Sequence, residues 1–271
     1  MKKITNASKH TSSYIKAYED VELLTNDDLR PVRMELETLK PEIYFRKKGV
    51  TETIVCFGSA RIEEKNVAKE KLAEAQKKLA KQPKDAALQH KVKTAQGLLS
   101  LSKYYDEART FAKLVVEQAG ERFSIVTGGG PGIMEAANRG AYENGGRSIG
   151  LNITLPHEQE PNAYISQNLA FLFHYFAIRK LHFVLRARAF VVFPGGFGTF
   201  DELFEILTLI QTGKKRQIPV VLVGKEFWAS VLNVDALAKY GVIAVEDKNL
   251  CPIVDTAQEA WDIIAKFYKI K

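Results

Sequence analysis

One stretch, AFVVFPGGFGTFDELFE from Ala189 to Glu205, limits the fold of this chain more than any other. Phe190, Val191, Val192 and Phe193 form a continuous apolar run, the pattern of a parallel strand buried on both faces. Pro194 ends it. Gly195, Gly196 and Gly198 then make a turn without side chains to hold a ligand off the backbone. Thr199 is expected to open a helix, with Phe200, Leu203, Phe204, Leu207 and Ile210 at helical spacing. A strand, a glycine turn and a helix start form an anion site, because unpaired amides and the positive end of the helix dipole converge above the turn. Thr199 and Glu202 also fit Thr-x-x-Glu, a capping box. A cap alone does not need the glycines, and a carboxylate beside an anion site makes sense when it faces another part of the same ligand, such as a sugar.

The same grammar occurs earlier. Phe123 to Val126 reads as a strand, followed by Thr127-Gly128-Gly129-Gly130-Pro131-Gly132-Ile133-Met134-Glu135 and a helix. The spacing is neither G-x-G-x-x-G nor a P-loop, which disfavours nicotinamide and ATP sites. Glu135 reads as a residue that balances the helix dipole.

Further strands are expected at Thr53 to Phe57, Ser148 to Ile153, Asn168 to Phe173, Pro219 to Val223 and Cys251 to Val254. Helices alternate with them, including one over Tyr175 to Arg188. The pattern predicts an α/β chain with a Rossmann-like, doubly wound parallel sheet of about seven strands, covered by helices on both faces. Residues 1–50 read as an N-terminal helical arm, with a short helix over Tyr14 to Leu24 and a second, capped by Asn26, carrying a stripe of Leu29, Val32, Leu36 and Leu39 before Pro41. Residues 51–271 are expected to form a Rossmann-like nucleotide-binding domain. Within it, Ala68, Leu72, Ala75 and Leu79 match Leu88, Val92, Ala95 and Leu99 across a proline break. This predicts an inserted antiparallel helical hairpin at about 62–101. The loop holding Pro156, Glu158, Glu160 and Pro161 is long enough to cover a site.

Composition narrows the classes. A hydrophobic content of 46% and a charged content of 26% are those of a globular protein. No apolar run approaches a membrane span, and MKKITNASKH lacks the apolar core of a secretory signal. Cys56 and Cys251 form no metal or redox spacing, so a cytoplasmic setting is expected. Of the net +7, most sits between Arg61 and Arg109, where 12 Lys and Arg meet 7 Asp and Glu. Without interleaved aromatics this reads as a solvated helical pair, so nucleic acid is not the expected partner. The histidines show no metal-ligand spacing, and neither metal nor cofactor is expected.

PGGFGTFDE, Pro194 to Glu202, resembles the Pro-Gly-Gly-x-Gly-Thr-x-x-Glu motif of the LONELY GUY (LOG) family, nucleoside 5′-monophosphate phosphoribohydrolases often labelled lysine decarboxylases. The Gly-Gly-Gly…Gly-Ile-Met loop and Arg179-Lys180 are similar to that family too, in its longer members. The resemblance implies a hydrolase that splits a nucleoside 5′-monophosphate into free base and ribose 5-phosphate, with cytokinin activation among its outcomes. It implies Arg179 and Glu202 as catalytic residues. Substrate contacts are expected from Ser59, Gly129, Gly130, Gly132, Lys180, Gly195, Gly196, Gly198 and Thr199, and a homodimer or higher homo-oligomer is implied. Sequence order supports Arg179, which starts a helix at the carboxyl edge of the sheet, while Arg186 and Arg188 lie toward the far edge. Where short members carry Met-His-x before Arg-Lys, this chain has Phe176-Ala177-Ile178, so the base is not specified. The alternative is a nucleotide or cofactor carrier similar to molybdenum-cofactor carriers. A pyridoxal-dependent decarboxylase would need a marked lysine, and none is apparent.

Overall fold

The strands form where β-branched and aromatic residues run together. A computed structural model describes residues 12–156 and 160–270. The N-terminal decapeptide and Glu158 lie outside them. The strands are β1 (Glu52–Phe57), β2 (Phe123–Thr127), β3 (Ser148–Ile153), β4 (Ala170–Phe173), β5 (Ala187–Val192), β6 (Val220–Val223) and β7 (Ile253–Val254). They pair in parallel as one seven-stranded sheet, in the order β4-β3-β2-β1-β5-β6-β7. The chain works outward from β1 to β4, then returns to lay β5 on the other side of β1. That reversal is a topological switch point, where an open α/β sheet leaves a crevice at the carboxyl ends of its strands.

Successive residues of a strand point to opposite faces, so the sheet divides the core in two. Ile54 and Cys56 pack with Phe111, Ala136 and Trp261 on one face. These come from helices α5 (Lys103–Ala119), α6 (Ile133–Glu143) and α11 (Ala257–Tyr268). Val55 and Phe57 pack with Phe45, Phe183, Leu203 and Trp228 on the other. Those come from α2 (Arg30–Lys47), α7 (Phe176–Leu185), α8 (Phe197–Gln211) and α9 (Lys225–Val231). A short α10 (Val234–Lys239) follows α9. Both faces are covered, as the apolar runs require.

The N-terminal segment departs from its expected form. In place of a helix over Tyr14 to Leu24 there is a 3-10 turn at Ser12–Tyr14 and a short α1 (Val21–Thr25), capped by Asp20. Asn26 caps a further 3-10 turn, not a long helix. Helix α2 then runs straight past Pro41, with Pro41 and Phe45 buried. The expected stripe faces outward: Val32, Leu36 and Leu39 are exposed. A proline inside a helix leaves the carbonyl four residues earlier unpaired. Here that carbonyl belongs to Glu37, and His182 Nε2 lies 3.2 Å from it.

Helices α3 (Lys65–Lys81) and α4 (Ala86–Leu101) pack against each other between β1 and α5, with Asp85 capping α4. The matched stripe residues are the less exposed positions of both helices, Ala68 and Val92 being buried. The base of the pair is tied to the sheet: Ile62 is fully buried in the core, and Leu98 and Leu101 pack on that core.

Candidate active site at the switch point

Three loops meet where the chain reverses. Ser59, just after β1, donates its amide to Pro194 O at 3.0 Å and accepts from the Ile133 amide at 3.1 Å. It thereby joins the turn after β5 to the start of α6. Around it lies a cleft of about 280 Å³, lined by Ser59, Arg61, Gly128, Met134, Phe176, Arg179, Gly196, Phe197, Gly198, Thr199, Asp201 and Glu202, with Phe57 behind.

The turn after β5 opens into this cleft. Helix α8 begins at Phe197, two residues earlier than expected, with Gly196 as N-cap. Thr199 is already helical, and its amide donates to Gly196 O at 2.9 Å. There is no side-chain cap at this helix, so the Thr199–Glu202 capping box is absent and Glu202 has no capping role. With the Thr199 amide paired, Phe197 and Gly198 hold first-turn amides that the helix cannot pair. Thr199 still lines the cleft, with its hydroxyl packed against Gly195.

The turn after β2 is closed instead. The Gly129 amide donates to Thr127 Oγ1 at 2.9 Å. Asn162, from the loop expected to cover a site, binds Gly129 O through its backbone amide and Gly130 O through its side chain. Gly132 has φ +71°, and a Cβ there would stand 2.5 Å from Ser59 O, so only glycine fits between the loops. Gly129, Gly130 and Gly132 thus serve loop packing and do not line the cleft. Gly128 and Met134 do so instead. Glu135 accepts from Tyr105 Oη at 2.8 Å, which holds α6 to α5.

Arg179 and Glu202 face the cleft from two different helices. Arg179 Nε donates to Leu151 O at 2.7 Å, and its guanidinium lies over the Phe183 ring at 5.1 Å. Burial lowers its pKa, with the charge of Glu202 opposing that shift. The Glu202 side chain is buried, and burial pushes its carboxyl up to about 7 against the pull of Arg179 and Lys180. Lys180 is not on the cleft wall. Its Nζ pairs with Asp201 at 2.8 Å and Glu205 at 3.2 Å, the carboxylates on either side of Glu202. Burial works against the Lys180 charge, but these partners outweigh it and raise its pKa. Arg186 and Arg188 pair with Glu42 and Glu52, well away from the cleft as expected.

Arg61, Phe176 and Phe197 also line the cleft, and none was singled out from the sequence as a contact. Phe197 is 96% exposed. On its other side a second hollow, about 910 Å³ and walled by Leu98, Leu101, Phe200, Phe204, Phe227 and Val231, adjoins the turn. Among the described residues no cluster of His, Cys, Asp and Glu could hold a metal. No described helix is long and apolar enough to cross a membrane.

Comparison with known proteins meets this geometry. The model of the family described as "Possible lysine decarboxylase" matches residues 134–264. A cytokinin riboside 5′-monophosphate phosphoribohydrolase of Arabidopsis thaliana is 25% identical over 169 residues, 60% of this chain and 76% of that protein. A pyrimidine/purine nucleotide 5′-monophosphate nucleosidase of Escherichia coli strain K12 is 30% identical over 136 residues, 46% of this chain but 29% of that protein. Among solved structures, a molybdenum cofactor binding protein from Rippkaea orientalis aligns at TM-score 0.45 and 20% identity, over 61% of this chain and 88% of that one, too loosely to argue from. In its motif, in the family model and in these curated relatives, the chain is similar to the LOG family.

Proposed function

We propose that this chain hydrolyses the N-glycosidic bond of nucleoside 5′-monophosphates. The observation that carries the reading is a buried carboxyl, Glu202, held near neutrality opposite Arg179 and one helical turn from unpaired amides. The phosphate sits on the amides of Phe197 and Gly198, with the Thr199 hydroxyl beside it. Ribose then lies toward Glu202. As the C1′–N bond breaks, its electron pair leaves with the base and positive charge grows on C1′ and the ring oxygen. Water adds to C1′, the Glu202 carboxylate takes the proton that water loses, and that proton passes on to the departing base, restoring the carboxylate. Arg179 orients the ligand and stabilises the negative charge on the leaving base. A carboxyl with a pKa near 7 is suited to this proton transfer. In a carrier it would only oppose the phosphate. A Schiff-base decarboxylase is disfavoured because, among the described residues, no lysine lines the cleft.

The test is a panel of nucleoside monophosphates and their nucleosides assayed for free base. AMP, GMP or CMP is expected to be split, and adenosine, guanosine and cytidine are not. Equal rates on nucleotide and nucleoside would remove the phosphate anchor. Cytokinin nucleotides, named for the Arabidopsis relative, belong in the same panel. A homo-oligomer in a cytoplasmic setting completes the reading, with mass by light scattering as the check on assembly.

A further inference from the structure

Helix α7, which carries Arg179, starts without a side-chain cap of its own. Its entry is held from outside. Glu37, in the middle of α2, accepts the His174 amide at 2.8 Å through one carboxylate oxygen and the Tyr175 amide at 3.2 Å through the other. Arg33 Nε reaches Tyr175 Oη at 3.3 Å. Further along, His182 Nε2 meets the Glu37 carbonyl that Pro41 leaves free. Arg186, the residue that caps the end of α7, forks onto both oxygens of Glu42 and lies over the Phe45 ring at 5.2 Å. The contacts thus grip α7 before its first turn, in its middle and at its end. Arg179 sits one turn beyond Tyr175, and its amide donates to Tyr175 O at 3.1 Å.

We infer that the N-terminal arm is the positioning element of the site, with Glu37 fixing the entry of α7 so that Arg179 faces Glu202 across the cleft. None of these contacts uses the arm's exposed apolar stripe of Val32, Leu36 and Leu39. Glu37 is a positioning residue, not a catalytic one: it acts through the backbone of His174 and Tyr175. The inference rests on the hydrolase reading for its effect on turnover, but its structural half stands apart from that reading.

The experiment uses the full chain and the best nucleotide from the panel. Glu37→Ala is expected to lower kcat about 10- to 100-fold, the scale of a small misplacement of a reacting group. Glu37→Gln, which keeps one acceptor, is expected to lose less. In an Arg179→Lys background Glu37→Ala should add little, because two residues acting through one contact do not add. Hydrogen exchange of the amides in 174–181 should speed up in Glu37→Ala while those of β1 stay protected. Loss of melting temperature with kcat unchanged, or full additivity with Arg179→Lys, would reduce the arm to a structural support. Unchanged exchange in 174–181 would overturn the inference whatever the kinetics. If no nucleotide is hydrolysed at all, faster exchange still upholds the clamp and the failure belongs to the hydrolase reading.

Discussion

The two glycine turns share a sequence grammar but not a use. After β2, only Gly128 lines the cleft: the Gly129 amide and the Gly129 and Gly130 carbonyls are taken by Thr127 and Asn162, and Gly132 is wedged against Ser59. After β5, a Cβ on Gly196 or Gly198 would meet nothing within 4 Å, and the first residues of α8 line a cleft. The difference teaches that a glycine run states only that space near the backbone is needed. Neighbours decide whether a ligand or another loop fills that space. The closed turn builds the wall on which the open one works.

The largest expected effect tests the open turn. Glu202→Gln should cut turnover by roughly 10²–10⁴-fold, the scale of a lost general base, with nucleotide binding kept. Because no capping box exists, the helix should be unaffected. A variant with near wild-type turnover would transfer the role to Asp201. Next comes the closed turn: Gly132→Ala should lose about 2–4 kcal/mol of stability, from the left-handed φ and the collision with Ser59 O. Denaturant unfolding measures this, and a small loss would erase the contrast.

The pH dependence is third. Glu202 must be ionised to accept a proton, so kcat/KM should rise with pH through about 7, and Glu202→Gln should lack that limb. Stability should move the opposite way. A carboxyl raised in the folded state holds its proton more tightly there, so its contribution is fully present below the ordinary carboxylate range and is lost as pH rises through about 7. At pH 8 Glu202→Gln should therefore be more stable than the parent, by up to about 3 kcal/mol. Equal stability at pH 8 would mean the carboxyl is not held in a buried, charge-opposing site. Fourth, Gly196→Ala has room and an extended φ of −100°, so it should fold normally and raise KM for the nucleotide only a few-fold. The smallest effect concerns the loop that both turns share. Replacing the outer part of the α3–α4 pair, residues 66–96, with a Gly/Ser linker should leave a folded domain, because its stripes face each other. Aggregation on excision would show that the hairpin completes the fold.

Much of this was legible in the sequence, for physical reasons. Buried parallel strands need unbroken apolar runs, so β1 to β7 lie within a few residues of their expected places. The start of α8 was missed because glycines at 196 and 198 read as turn. A first helical turn has few internal bonds to lose, so Gly198 enters the helix cheaply. The turn after β2 reads in the sequence as suited to phosphate or to close backbone approach, and nothing local announces Asn162, more than thirty residues away. The arm was opaque for the same reason. Glu37 meets His174 across 137 positions, and the sequence offers only a proline that reads as the end of a helix. Arg179 was legible through sequence order, since a helix leaving the carboxyl end of a strand must begin at the ligand edge.

The chain contains two tryptophans, and the fold puts one on each face of the sheet. Trp228 is fully buried beneath the open turn's helix, 5.4 Å from Phe200, with its indole N–H on Val223 O at 3.1 Å. Trp261 is fully buried on the opposite face, bonded to Gln118. Each indole is therefore an emission reporter for one layer, blue-shifted while its layer is dry. Single-tryptophan versions made with Phe at the other position separate the two signals. Ligand binding should disturb the Trp228 emission, which neighbours α8, and leave Trp261 alone. Denaturant should move both together if the sheet unfolds as one cooperative unit.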